Sequence, residues 1–196
     1  MNKPFAESCE QNKHVILDVL KHEFSQQNSV LEIGSGTGQH AVFFAKHLSH
    51  LNWQCSDRET ELSGINAWLE EAALSNLLTP IELDVLTNKW PEQKYDAAFS
   101  ANAVHIMSWH AVEAMFEGLN GCLQNRAVVC LYGPFNYNGK FTSESNARFD
   151  QWLKQRNPLS GIRDIEKLNM LADQCGLTLH NDYEMPANNR ILCWKK

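Results

Sequence analysis

The sequence lacks any apolar run approaching the roughly 20 residues that a membrane-spanning helix needs. Residues Met1 to Ser8 lack the apolar core of a secretory signal. There is no C-x-x-C pair: Cys9, Cys55, Cys122, Cys130, Cys175 and Cys193 are scattered, and three of the six fall in apolar runs where Cys acts as a small hydrophobe. That spacing argues against a disulfide framework and for a reduced, cytoplasmic chain. Excess positive charge is also missing. Lys+Arg number 17 against Asp+Glu 23, a formal net charge of −6, so nucleic acid is disfavoured as a partner. His47 and His50 have no third ligand near them in sequence, and His105 and His110 are off a common helical face, so no metal site is expected. No repeat, low-complexity tract or long linker divides the chain, and 196 residues suit one domain. Nothing in the composition reports oligomeric state.

What is present is an alternation of helical and strand patterns, the signature of a mostly parallel sheet covered by helices on both faces. Val15, Ile16, Val19 and Leu20 predict a helix over residues 12–24. Strands are expected at 30–33, 53–56, 80–85, 95–100 and 127–132, with helices between them on the stripes of Ala41 and Phe44, Ile65 and Leu69, and Met115 and Phe116. Residues 136–142 read as loop, followed by helical segments near 149–153 and 168–175. The apolar runs 177–183 and 190–194 are separated by too few residues for a parallel crossover, so the sheet should finish in an antiparallel hairpin.

The strongest local signal is Val30-Leu31-Glu32-Ile33-Gly34-Ser35-Gly36-Thr37-Gly38. A strand that turns sharply into a helix through glycines brings bare backbone and a helix N-terminus up to a ligand. About twenty residues on, Asp57 ends the second strand, where a carboxylate can accept both hydroxyls of a ribose.

The G-x-G-x-G spacing, with Glu32 two residues before the first glycine, resembles motif I of class I S-adenosylmethionine-dependent methyltransferases. Asp57, Asp84 with Val85, and Ser100-Ala101-Asn102 resemble that superfamily's second, third and fourth motifs. The resemblance implies a Rossmann-like fold with a seven-stranded sheet, S-adenosylmethionine as cofactor and S-adenosylhomocysteine as product. It implies further that Glu32, Gly34, Ser35, Gly36 and Gly38 hold the methionine moiety, Asp57 the ribose, and Asp84 and Val85 the adenine, with Ala101 and Asn102 near the sulfonium. More closely, the chain resembles the uncharacterised methyltransferase-like 26 family. The marks are Asn12-Lys13, Asn102-Ala103-Val104-His105-Ile106 with Trp109, Tyr132-Gly133-Pro134-Phe135, and Met185-Pro186-Ala187-Asn188-Asn189-Arg190. That family usually has Arg before the N-terminal Asn, where this chain has Gln11.

Three residues are candidates for chemistry at the carboxyl ends of the strands: His105, able to take a proton near neutral pH, Asn102 and Tyr132. Asn102 either meets the ligands or caps the following helix. Asn12, Tyr137 and Arg190 are candidates for holding the acceptor, Arg190 as a clamp on a carboxylate or phosphate or, alternatively, as part of a simple turn. The helix at 12–24 and the region 133–160 are expected to cover the acceptor, which the chain's acidity suggests is a small molecule. Two other functions fit the same pattern: an NAD(P)-binding oxidoreductase, against which the glycine spacing counts, and a non-catalytic S-adenosylmethionine-binding protein.

Overall fold

The computed structural model describes residues 3–87 and 89–196. Helix α1 (Glu7–Glu23) precedes β1 (Ser29–Ile33), α2 (Gln39–His47), β2 (Asn52–Asp57), α3 (Glu59–Ala72) and β3 (Leu77–Glu82). Strand β4 (Tyr95–Ala101), α4 (Trp109–Cys122) and β5 (Leu123–Gly133) follow. Then come β6 (Phe135–Asn136), α5 (Glu144–Arg156), β7 (Arg163–Asp164), α6 (Ile165–Gln174), β8 (Thr178–Met185) and β9 (Asn189–Lys195).

The main sheet has seven strands in the order β3-β2-β1-β4-β5-β9-β8. Its first five strands are parallel, while β9 runs antiparallel to both β5 and β8. Side chains alternate across the pleat. Leu31, Ile33, Val129 and Leu131 join Met115, Phe116 and Leu168 on one face. Val30, Val128 and Cys130 join Ile16, Leu20, Phe44 and Trp53 on the other. Helices therefore cover both faces, and each face has its own core. All six cysteines are free, and Cys130 and Cys193 sit opposite each other on β5 and β9.

Three expectations need correction. The third strand spans Leu77–Glu82 rather than 80–85, because Leu77 and Leu78 pair with Trp53 and Gln54, and the chain leaves the sheet before Asp84. The 136–142 stretch is not wholly loop: β6 pairs with β7, and Tyr137 bridges Lys140. The short segment at 149–153 is the middle of a helix running from Glu144 to Arg156, started by Ser143, whose Oγ accepts from the Asn146 amide at 3.1 Å.

Strand order reverses between β1 and β4, so the crevice above their carboxyl ends is where an open α/β sheet takes a ligand. The glycine loop, Asp57 and Asn102 all leave strands at this edge.

Candidate active site

The glycine loop is built by the backbone itself. The amides of Gly34 and Ser35 both donate to the Ser56 carbonyl, at 3.0 and 3.1 Å, which ties the end of β1 to the end of β2. Gly34, Gly36 and Gly38 all have positive φ, at 71°, 57° and 87°. A Cβ at Gly38 would stand 3.2 Å from the Ile65 Cα, so α2 can start there only beneath a glycine. Gly36 differs: it is exposed, and nothing lies within 4 Å of the position a Cβ would take. It is bare main chain facing open space, an open cradle.

Asp57 closes this cradle. Its Oδ2 accepts from the Gly36 amide at 2.8 Å and its Oδ1 from the Arg58 amide at 2.8 Å. Each carboxylate oxygen keeps a further lone pair for a hydroxyl donor. Beneath the loop, Glu32 is buried, and its Oε2 accepts from Ser35 Oγ and Trp53 Nε1, both at 3.0 Å. Burial pushes its carboxyl up to about 7. A cationic group placed beside it would favour the ionised form. Asp84 lies just past β3, where its Oδ1 accepts from the Leu86 amide at 3.0 Å, and Val85 is buried beside Leu83. Ala101 ends β4 opposite Tyr132 on β5.

Asn102 follows in a left-handed conformation, φ 58°, with its amide donating to the Tyr132 carbonyl at 2.9 Å. It does not cap α4. That role belongs to Ser108, whose Oγ accepts from the Ala111 amide at 3.1 Å. Asn102 instead lines a cavity of about 790 Å³. Asn12, His105 and Tyr132 line it too, so the fold gathers four of the sequence candidates from three separated segments.

His105 is buried, and burial, helped by the nearby Arg163 charge, pushes its imidazole down to about 4, so it is neutral at physiological pH. Its Nδ1 has no hydrogen-bond partner among the described residues. The segment carrying it is held rigidly. Ser160 Oγ donates to the Ile106 carbonyl at 2.7 Å, Arg163 Nε donates to the Val104 carbonyl at 3.0 Å, and Arg163 Nη2 donates to the Met107 carbonyl. Gly133 approaches the ring so closely that a Cβ there would lie 3.4 Å from Nδ1 and 3.8 Å from Asn102 Oδ1.

Asn12 Oδ1 accepts from His40 Nε2 at 2.7 Å, and burial pushes the ionisation of the Tyr132 phenol up. Burial holds His40 at about 4, hence neutral.

Tyr137 and Arg190 are brought to each other rather than to His105. The Tyr137 hydroxyl donates to Asp182 Oδ2 at 2.7 Å, Arg190 Nε donates to Asp182 Oδ1 at 2.7 Å, and Arg190 also pairs with Glu184 at 3.1 Å. Neither lines the cavity.

Sequence reasoning missed Phe149 and Trp152, which form a cavity wall, and the hairpin residues Pro186 to Asn189 beside them. The signal for the wall was available: two aromatics three apart, hence on one face, in a helix otherwise rich in polar residues. Among the described residues there is no cluster of three His, Cys, Asp or Glu able to hold a metal, and no helix long and apolar enough to cross a membrane.

Residues 3–196 match the family described as "Protein of unknown function (DUF938)". Among solved structures, the chain is similar to an O-methyltransferase family protein from Burkholderia thailandensis, with TM-score 0.84, 11% identity, and coverage of 97% of this chain and 57% of that one. It is similar to the S-adenosylmethionine-dependent methyltransferase SibL in its apo form, with TM-score 0.81, 18% identity, and coverage of 96% and 55%. It is also similar to human N-acetylserotonin methyltransferase in complex with S-adenosylmethionine, with TM-score 0.79, 13% identity, and coverage of 97% and 53%. The fold is that of a Rossmann-like methyltransferase, and the chain spans a little over half the length of these proteins.

Proposed function

The chain belongs to the DUF938 family, and from that premise we propose that it is an S-adenosylmethionine-dependent methyltransferase acting on a small-molecule acceptor in the His105 cavity. The carrying observation is the joint between Gly36 and Asp57: an open stretch of left-handed main chain whose amide is held by a carboxylate at 2.8 Å, at the point where strand order reverses. Similarity to methyltransferase structures supports this reading, as does the resemblance of the 12–20, 102–109 and 185–190 stretches to the methyltransferase-like 26 family.

When bound, S-adenosylmethionine supplies an electrophilic methyl group on a sulfonium. The chain's own residues bind, orient and exclude water. Gly34 to Gly38 offer main chain to the amino-acid tail, and Glu32, whose carboxyl burial raises to about 7, ionises beside the ammonium of that tail and balances it. Asp57 takes the ribose hydroxyls, while Asp84 and Val85 flank the adenine. Asn102 belongs to the cavity lining and to the edge of the cofactor cleft, so it stands where the two ligands meet. His105 and Tyr132 face the acceptor from the same cavity.

The test is isothermal calorimetry of the chain with S-adenosylmethionine, S-adenosylhomocysteine and NAD. The two sulfur compounds should bind and NAD should not. Asp57→Ala should weaken S-adenosylhomocysteine by about tenfold to a hundredfold, the worth of charge-assisted hydrogen bonds. Binding of NAD alone would overturn the assignment.

A further inference from the structure

The segment ahead of the sheet is tied down twice. Lys3 Nζ lies 3.7 Å from the centroid of the Trp68 ring and pairs with Glu71 at 2.7 Å, and the Pro4 carbonyl accepts from Trp68 Nε1 at 2.7 Å. Pro4 packs on α3 so closely that a Cβ at Gly64 would stand 2.7 Å from its Cγ. The second tie is at α2. Gln39, the first residue of α2 and only 3% exposed, directly follows the glycine loop. Its Oε1 accepts from the Ala6 amide at 2.6 Å and from Thr37 Oγ1 at 3.0 Å, and its Nε2 donates to Glu10 Oε1 at 3.0 Å. One carboxamide thus joins the start of α1 to the loop. Glu10 also pairs with Lys13, whose hydrogen bond holds the Glu10 carboxyl below the usual range, so it meets Gln39 as a carboxylate.

What this tie holds in place bears on both halves of the site. Cys9 stands by the loop: burial, with the charge of Glu32 second, pushes its thiol up to about 11. Ser8, Gln11 and Asn12 line the cavity together with Asn102. The first turns of α1 therefore border the glycine loop on one side and the acceptor cavity on the other. Yet of residues 3–12 only Asn12 is buried, so the segment adds little to either core. A peripheral segment held by polar links opens locally at small cost and leaves the cores intact.

Resting on the methyltransferase reading above, we infer that Gln39 is a positioning residue whose carboxamide fastens residues 3–12 as a strap over the seated cofactor. The strap opens to admit the cofactor, and the amino-acid tail then lies between it and Gly34 to Gly38. Closure sets Ser8, Gln11 and Asn12 as a wall of the cavity, so the acceptor pocket is complete only with the strap down. A cofactor that binds the closed form better than the open one shifts the equilibrium toward closure by that difference. Gln39 acts through Ala6 and Glu10 rather than by touching either ligand.

The test reads Cys9, the one cysteine of the six that is not buried. Mass spectrometry follows its alkylation by iodoacetamide in the folded chain, with the labelled site confirmed by peptide mapping, and calorimetry gives the affinity for S-adenosylhomocysteine. Saturating S-adenosylhomocysteine should slow labelling of the wild type by at least about tenfold. Gln39→Glu sets a second carboxylate against Glu10. It should speed labelling of the free chain and weaken S-adenosylhomocysteine, each by about tenfold. Adding Glu10→Gln reverses the direction of that hydrogen bond and should restore both values, a rescue that a residue serving only to pack would not show. Glu10→Lys, at a partly exposed position, loosens the strap from the α1 side and should act in the same direction, which keeps the test open if Gln39→Glu does not fold. Labelling that S-adenosylhomocysteine leaves unchanged, wild-type behaviour of Gln39→Glu and Glu10→Lys, or a double variant no better than Gln39→Glu would overturn the inference. Failure of S-adenosylhomocysteine to bind the wild type would overturn the methyltransferase reading itself, so the two failures are distinguishable.

Discussion

The amide of Gly161 donates to the carbonyl of His105 at 2.9 Å. With Ser160 and Arg163 it completes a set in which each carbonyl from Val104 to Met107 meets a donor from residues 160–163. A turn of four residues thus has its backbone satisfied by a segment more than fifty positions away, and the imidazole it carries is fixed without any bond to the ring.

Arg163→Gln should therefore act through His105. Three carbonyls, those of Val104, Met107 and Leu159, lose their donor, at a cost of about 1–3 kcal/mol in stability, visible as a lower urea midpoint. Turnover should fall further than that loss explains, with S-adenosylhomocysteine affinity unchanged. Because the Arg163 charge also depresses the imidazole, the apparent pKa of His105, read by NMR titration, should rise from about 4. An unmoved pKa with only a lower midpoint would reduce Arg163 to a structural brace.

Replacing the ring itself separates chemistry from binding. His105→Ala is expected to abolish methyl transfer to a confirmed acceptor while the cofactor still binds with wild-type affinity. Turnover that survives the substitution would remove His105 from the reaction.

The buried titratable groups set a pH dependence of stability with opposing parts. His40 and His105 are each pushed by burial from 6.5 to about 4. The unfolded chain binds their protons first, so stability drops as pH falls from 6.5 toward 4. Burial raises Glu32 from 4.5 to about 7. There the folded chain holds the extra proton, so this contribution is complete below 4.5 and fades as pH rises through 7. Glu32→Gln should consequently gain stability relative to wild type between pH 4.5 and 7, measured by urea midpoints across that window. A constant difference at all pH values would mean that Glu32 titrates normally.

The loop glycines are not equivalent. Gly38→Ala must carry a positive φ and a methyl 3.2 Å from the Ile65 backbone, so it should lose more than the roughly 1–2 kcal/mol of a left-handed L residue. Gly36→Ala meets open space and should lose about that amount or less, but its methyl occupies the ligand's side. Thermal melts should rank Gly38→Ala as less stable, and calorimetry should show Gly36→Ala with the larger proportional loss of S-adenosylhomocysteine affinity. The reverse order in both measurements would misplace the cleft.

The sequence by itself determined the alternation of elements, the sharp turn at Gly34 to Gly38, the partnership of that turn with Asp57 and the antiparallel finish, because each follows from local periodicity, glycine's access to positive φ and the length of a connection. Only the tertiary structure decided which polar residues share a space. Asn12, Asn102, His105 and Tyr132 converge because three separated segments, α1, the stretch after β4 and the end of β5, meet at one edge of the sheet, and Phe149 and Trp152 close that space. Tyr137 and Arg190, equally plausible in the sequence, are held by Asp182 instead. Long-range pairing of this kind depends on register and packing between distant strands and helices, and those leave no mark in the spacing of residues along the chain.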